Sequence, residues 1–304
     1  ATVTVNAPPP PPPPPPSSAL FSDDFESGSL GTWEDGYNPT HHRVITDAAL
    51  ARSGSRLLEV SYLQGGNGGF LTRFFMPGFD YLQVSYWVRF PQGWKGTTML
   101  VGLYGSRLDN QWSAFGKAGR KPTGTDFAIA FLTNEGTTAP GATSFSTYFP
   151  EMLASSDGKY WGDTGAGRAT YTDPRVMSLG EWHRVELWMK LNTPGQSNGA
   201  QRFWVDGVLQ GEWTGIRFRD TDQIRLNALQ LTFDRGVLQA MTLERSGASV
   251  TVAPNGRVAV DLALAWRADE VGARLVGAAL PPARLPVDWA AVEALATRRT
   301  SATR

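Results

Sequence analysis

Residues 102 to 120, GLYGSRLDNQWSAFGKAGR, hold the densest run of side chains able to bind an anion and move protons. Tyr104, Arg107, Asn110, Gln111, Lys117 and Arg120 fall within it, and Trp112 offers a flat ring for stacking. A guanidinium beside amides neutralises a carboxylate, and a phenol or amine of suitable pKa passes protons. A solvated connection between strands uses the same residue types, so the segment also has a plain structural reading.

Other candidates lie where the sequence alternates. Trp87 and Arg89 share one face of SYWVRF, and Arg184, Glu186, Trp188 and Lys190 share one face of RVELWMKL, opposite Val185, Leu187, Met189 and Leu191. Such faces give an aromatic floor flanked by cations, suited to an acidic sugar chain if they line a groove, or ordinary surface if they do not. Arg73 in FLTRFF, and Arg202 with Trp204 in QRFWV, carry the same two readings. Tyr148 in FSTYFP alternates with its apolar neighbours and is expected on the polar side of its strand. His41 and His42 are adjacent, so in a strand they point oppositely and make a poor metal pair, although one of them could serve as a base.

The elements that must position these groups are short strands broken by Gly, Pro, Asn and Asp, the pattern of an all-β sandwich. Expected strands run over residues 56–62, 69–75, 83–90, 99–104, 126–132, 144–149, 183–191, 201–205 and 225–233. Asp206-Gly207 is a type I′ hairpin signal, and the Gly-rich stretch 150–173 reads as a long loop at one end of a groove. The chain divides into three parts. Residues 1–19 combine the strand-like ATVTVN with an unbroken run of nine prolines, Pro8 to Pro16, a semi-rigid spacer of roughly 28 Å. Residues 20–236 form the sandwich. Residues 237–304 lack Phe, Tyr and Lys and read as a small appendage, a hairpin through Asn255-Gly256 and a short helix capped by Asp288.

Composition sets the class. A chain of 304 residues with 41% hydrophobic content buries a large core, and 28 basic against 28 acidic residues leave no bulk field for nucleic acid or an anionic membrane. No cysteine is present, which excludes disulfides, and no apolar run is long enough to span a membrane as a helix. The start at Ala1, without a charged and apolar leader, fits a processed or excised protein.

Four motifs occur in order: Trp182-His183-Arg184, Asn192-Thr193-Pro194-Gly195, Trp204-Val205-Asp206-Gly207 and Phe218-Arg219. Together with the strand pair Ser85 to Trp94 and Met99 to Arg107, they resemble the jelly-roll, concanavalin-like sandwiches of the alginate and glucuronan lyase type. The resemblance covers about residues 20 to 236. It implies an extracellular or cell-surface lyase that cleaves an acidic polysaccharide by β-elimination without a redox cofactor. On that reading Arg107 with Asn110 or Gln111 neutralises the carboxylate, and Tyr148, helped by Lys117 or His42, transfers protons. Arg73, Trp87, Arg89, Trp112, Arg184, Trp188 and Lys190 then bind substrate, and Asp23 and Asp24 suit a structural calcium ion. Two departures stand out. The closing strand with an Asp-Asn pair is missing, leaving a sheet edge through which copies could assemble, and DFAIAFL offers no tyrosine. The competing readings are a noncatalytic carbohydrate-binding sandwich using Trp87, Trp112, Trp188 and Arg89, a glycoside hydrolase using Glu59 and Glu186, and a filament or surface-structural protein.

Overall fold

The computed structural model describes residues 19–62, 68–92, 94, 98–135, 140–172 and 176–233, and the backbone of three further strands between 241 and 262. Among the described residues every regular element is a strand. One antiparallel sheet has the order β3 (Phe70–Phe79), β12 (Ile224–Thr232), β5 (Met99–Arg107), β6 (Ala128–Glu135), β7 (Ala142–Tyr148). The other has the order β4 (Tyr81–Arg89), β9 (Trp182–Lys190), β10 (Gly199–Val205), β11 (Val208–Ile216), β8 (Thr170–Tyr171). A hairpin of β1 (His42–Thr46) and β2 (Arg56–Val60) stands beside them, and β13 (Met241–Arg245), β14 (Ala248–Val252) and β15 (Val258–Leu262) form a small sheet of their own. The fold is a two-sheet jelly-roll β-sandwich.

Alternation decides which face is buried. On β9, Val185, Leu187 and Met189 are fully buried while Lys190 is exposed, as the period of two requires. Their counterparts across the core are Leu71, Val101, Leu103, Leu132 and Phe145. Phe145 meets Phe203 edge to face at 5.1 Å, and Gln201 Nε2 donates to Thr147 Oγ1 at 2.8 Å, tying β10 to β7 through the core.

The ordered motifs prove to be clasps. Chain crossings between the sheets meet at Asp80, the single residue between β3 and β4. The buried Arg219 guanidinium donates to Asp80 Oδ1 at 2.7 Å, to the Asn192 carbonyl at 3.0 Å and to the Ile224 carbonyl at 2.6 Å. Asn192 Oδ1 accepts from the backbone of Phe218 and Arg219, and its amide donates back to the Arg219 carbonyl. The Asn-Thr-Pro-Gly and Phe-Arg motifs therefore bind each other. At the opposite end of β9, His183 Nδ1 lies 2.7 Å from Asp206 Oδ2, and Asp206 Oδ1 accepts from the Arg184 amide at 2.8 Å. His183 Nε2 is 2.9 Å from Ser178 Oγ, but that hydroxyl donates to Glu181 at 2.6 Å, so the histidine is not positioned to take its proton.

The Asp206-Gly207 turn closes as expected, with Val205 opposite Val208 and φ of 51° and 79° at the two turn residues. Asp206→Ala should cost about 1–3 kcal/mol, because alanine tolerates this φ poorly and the His183 and Arg184 contacts vanish. A urea-unfolding midpoint checks it.

Strand positions agree with the sequence reading except at particular points. β3 continues four residues past the expected Phe75, and β5 runs on to Arg107. β1 is absent from the expected strands, yet Arg43, Val44 and Ile45 pair with Glu59, Leu58 and Leu57. In the C-terminal part, β14 and β15 form the hairpin expected around Asn255-Gly256. The expected helix at Asp288, the polyproline arm and the strand-like segment 1–6 lie outside the described residues.

Candidate active site

The polar groups best placed for chemistry lie on the outward face of the sheet β3-β12-β5-β6-β7. Register puts Tyr148, Ile129, Tyr104, Ala228 and Phe74 in one row across five strands. The neighbouring row is Ser146, Phe131, Gly102, Gln230 and Thr72. Only β6 stands between the strands of Tyr104 and Tyr148, so their Cα atoms are about 10 Å apart. Phe131 lies across Gly102, where any side chain would collide with its ring. Gln230 organises the floor: its carbonyl accepts from Tyr104 Oη at 2.5 Å and Thr232 Oγ1 at 2.9 Å, and its amide donates to Thr72 Oγ1 at 2.9 Å.

Apart from the half-buried Phe74, these outward residues are nevertheless buried, because two segments rise over the face and recess it. In residues 108–121, Phe115 stacks on Tyr104 at 4.6 Å, and Trp112 meets Phe74 at 4.8 Å while staying 47% exposed. Lys117 Nζ sits 5.6 Å from the Phe127 ring, itself 6.3 Å from Tyr148. The second segment, 150–172, is pinned by Asp163, which pairs through its backbone with Thr147 and accepts from Leu153, Gly165 and Arg168. Gly119 bridges to Tyr160 and joins the two segments.

The structure thus brings Tyr148, Lys117 and Trp112 to one recessed face. Asn110 and Gln111 lie in the same wall, with Asn110 Oδ1 accepting from the Trp112 amide at 3.0 Å. Arg107 is elsewhere. Three residues beyond Tyr104, it has the opposite strand parity, and its guanidinium is held by Asp109 at 2.8 and 2.7 Å and by the Thr125 carbonyl at 3.0 Å. With these donors already taken by Asp109 and Thr125, it is a poor carboxylate clamp. Arg73 turns to Glu34, the Thr32 carbonyl and the Phe21 ring.

His42 is not available as a base. It is buried, Nε2 is 2.9 Å from the Gly68 carbonyl, and Nδ1 accepts from the Asn38 amide at 3.2 Å, leaving no ring nitrogen free. Burial, opposed by the Gly68 bond and aided by His41, lowers its pKa below 6.5. The unfolded chain protonates first, so stability from neutral His42 is complete above pH 6.5 and erodes as pH falls towards the lowered native value. Thermal melts across this range should show that slope, and His42→Gln should flatten it.

Trp87, Arg89, Arg184, Trp188 and Lys190 share an outward face as expected, but it belongs to the other sheet. They stand on the far side of the core from Tyr104 and Tyr148, so the two sets cannot line one groove. Glu59 and Glu186 are bound to Arg43 and Arg184 on different sheets, and do not form a carboxylate pair. Asp23 accepts from the Phe25 amide, Thr32 and Trp33, bracing its own loop, and Asp24 accepts from the Glu26 amide. That donor set fits a loop brace rather than a calcium ion; the described residues contain no group of three or more metal-ligating side chains.

Sequence reading missed Gln230, Thr72 and the central position of Tyr104. The available signal was Gln230 and Thr232, polar residues two apart and alternating with Leu229 and Leu231 in LNALQLT.

A jelly-roll sandwich whose recessed outer face carries tyrosines, amides and a lysine presents the groups that proton transfer beside an anion requires. Residues 64–236, more than half of the chain, match the model of polysaccharide lyase 14, and the chain belongs to that family. Similar solved structures include the alginate lyase Aly36B, 18% identical, with 73% of this chain and 84% of that chain covered and a TM-score of 0.52. The marine PL-14 alginate lyase from Aplysia kurodai is also 18% identical, over 71% of this chain and 87% of its own, with a TM-score of 0.52. The endo-β-1,4-glucuronan lyase from the fungus Trichoderma reesei is 14% identical over 70% and 83%, with a TM-score of 0.29. At such identities the likeness to the two alginate lyases shows the fold alone. No curated protein matches the chain.

Proposed function

We propose that this chain cleaves an acidic, uronate-containing polysaccharide by β-elimination on the recessed face of β3-β12-β5-β6-β7, outside the cell or at its surface. Family membership supports the reaction class, and the alginate lyases among the similar structures support a uronate substrate. The observation that carries the assignment to this face is the row holding both Tyr148 and Tyr104, with Lys117 and Trp112 above it. In the reaction a base removes the proton on C5, the electron pair forms the C4–C5 double bond, and the C4–O bond breaks with protonation of the departing oxygen. No electrons enter or leave, so no redox partner is needed.

Tyr148 exchanges protons with the sugar, with Lys117 as its cationic neighbour. Lys117 and Arg120, which make no ion pair among the described residues, meet the carboxylate together with Gln111. Trp112 stacks on a ring at the mouth. Incubation with alginates, glucuronan, hyaluronan and neutral glucans tests the proposal: ultraviolet absorbance of an unsaturated uronate end should rise with at least one polyuronate and with no neutral glucan. Binding without absorbance or new reducing ends would favour the noncatalytic sandwich.

A further inference from the structure

We propose that the outward face of β4, β9 and β10 is a second, noncatalytic site for the same acidic polysaccharide, a proposal that rests on the substrate class above. Along β4 the outward residues are Tyr81, Gln83, Ser85, Trp87 and Arg89, opposite Lys190, Trp188, Glu186, Arg184 and Trp182. Arg202 continues the Trp188 row on β10. Tyr81 and Trp87 are 65% and 40% exposed, far more than core aromatics, and they end a strip about 20 Å long. A strip of that length seats several sugar rings.

Charge selects the occupant. Arg52 lies over the Trp87 ring at 3.7 Å and Arg202 over Trp188 at 5.2 Å. The two carboxylates of this face are already matched, Glu186 by Arg184 at 2.8 Å and Glu212 by Arg202 at 2.5 Å. Arg52, Arg89 and Lys190 remain without a carboxylate partner among the described residues, so the face is net cationic on a chain with formal charge zero. Aromatic rings edged by unmatched cations fit a chain of sugars carrying regular carboxylates. Because the core separates this face from the tyrosine row, polymer bound here is retained rather than cut.

The test uses the full chain carrying Tyr148→Phe, so that polymer persists, in affinity gels containing alginate, glucuronan or a neutral glucan. Polyuronate should retard migration, and adding Trp87→Ala with Lys190→Glu should weaken retardation at least about fivefold. Arg52→Glu, on a loop outside the sheets, should act in the same direction and guards against loss of fold in the double variant. Retardation unchanged by all these substitutions would overturn the site, even if the wild-type chain eliminates uronate. Retardation by neutral glucan alone would overturn the acidic substrate as well. Concentration-dependent mass in light scattering that Lys190→Glu abolishes would instead make the face a self-association surface and overturn the proposal.

Discussion

Tyr148→Phe should lower elimination turnover by about a hundredfold to ten-thousandfold, the usual contribution of a positioned acid or base, with little change in KM. The substitution keeps the ring, its contact with Phe127 at 6.3 Å and its place opposite Ile129. Only the hydroxyl is lost. A thermal midpoint close to the wild-type value, measured on the same preparation, separates lost chemistry from lost structure. Activity within a few fold of wild type would remove Tyr148 from the mechanism and move attention to Tyr104 in the same row. Gln230→Leu discriminates further, since it withdraws the acceptor of the Tyr104 hydroxyl without touching Tyr148.

Arg219→Ala should be the most destabilising single change, costing about 3–5 kcal/mol because it strips a buried cation from three acceptors and leaves Asp80 half compensated. Half of the Asp80 side chain is exposed, which places the cost towards the lower end. The acid limb of stability should move too. Burial pushes the Asp80 carboxyl up, but Arg219 and Arg225 together outweigh it and hold its pKa below the ordinary value. A depressed carboxyl contributes stability above its unfolded pKa and loses it as pH falls through the native one. Removing Arg219 should therefore shrink the stability difference between neutral and acidic pH. Urea titrations at both pH values measure this, and an unchanged midpoint would contradict the clasp.

Much of the fold was legible because the local rules agreed with one another. RVELWMKL alternates cleanly and Asp206-Gly207 demands a tight turn, whereas the clasp between Asn192 and Arg219 shows only in the structure. What those motifs specify is the joining of strands; Trp182-His183-Arg184 fixes β9 to its neighbours and does no evident chemistry. The site was legible in part. Tyr148, Trp112 and Lys117 share the recessed face of one sheet, whereas Arg107 and His42 do not: Arg107 has the opposite parity to Tyr104 and is bound by Asp109, and residue type does not reveal the carbonyl that satisfies a buried imidazole. Trp87 and Trp188 show the same limit: alternation says that they share a face with Arg89 and Lys190, and only the pairing of the sheets says which face.

The most direct test of elimination is the mass of the ends produced from a polyuronate of defined length. Elimination divides the chain without adding water, so the fragment bearing the new nonreducing end should be lighter by one water than the matching hydrolysis product. Fragments that all carry the added water, with new reducing ends and no unsaturated uronate, would make the protein a hydrolase and contradict the account.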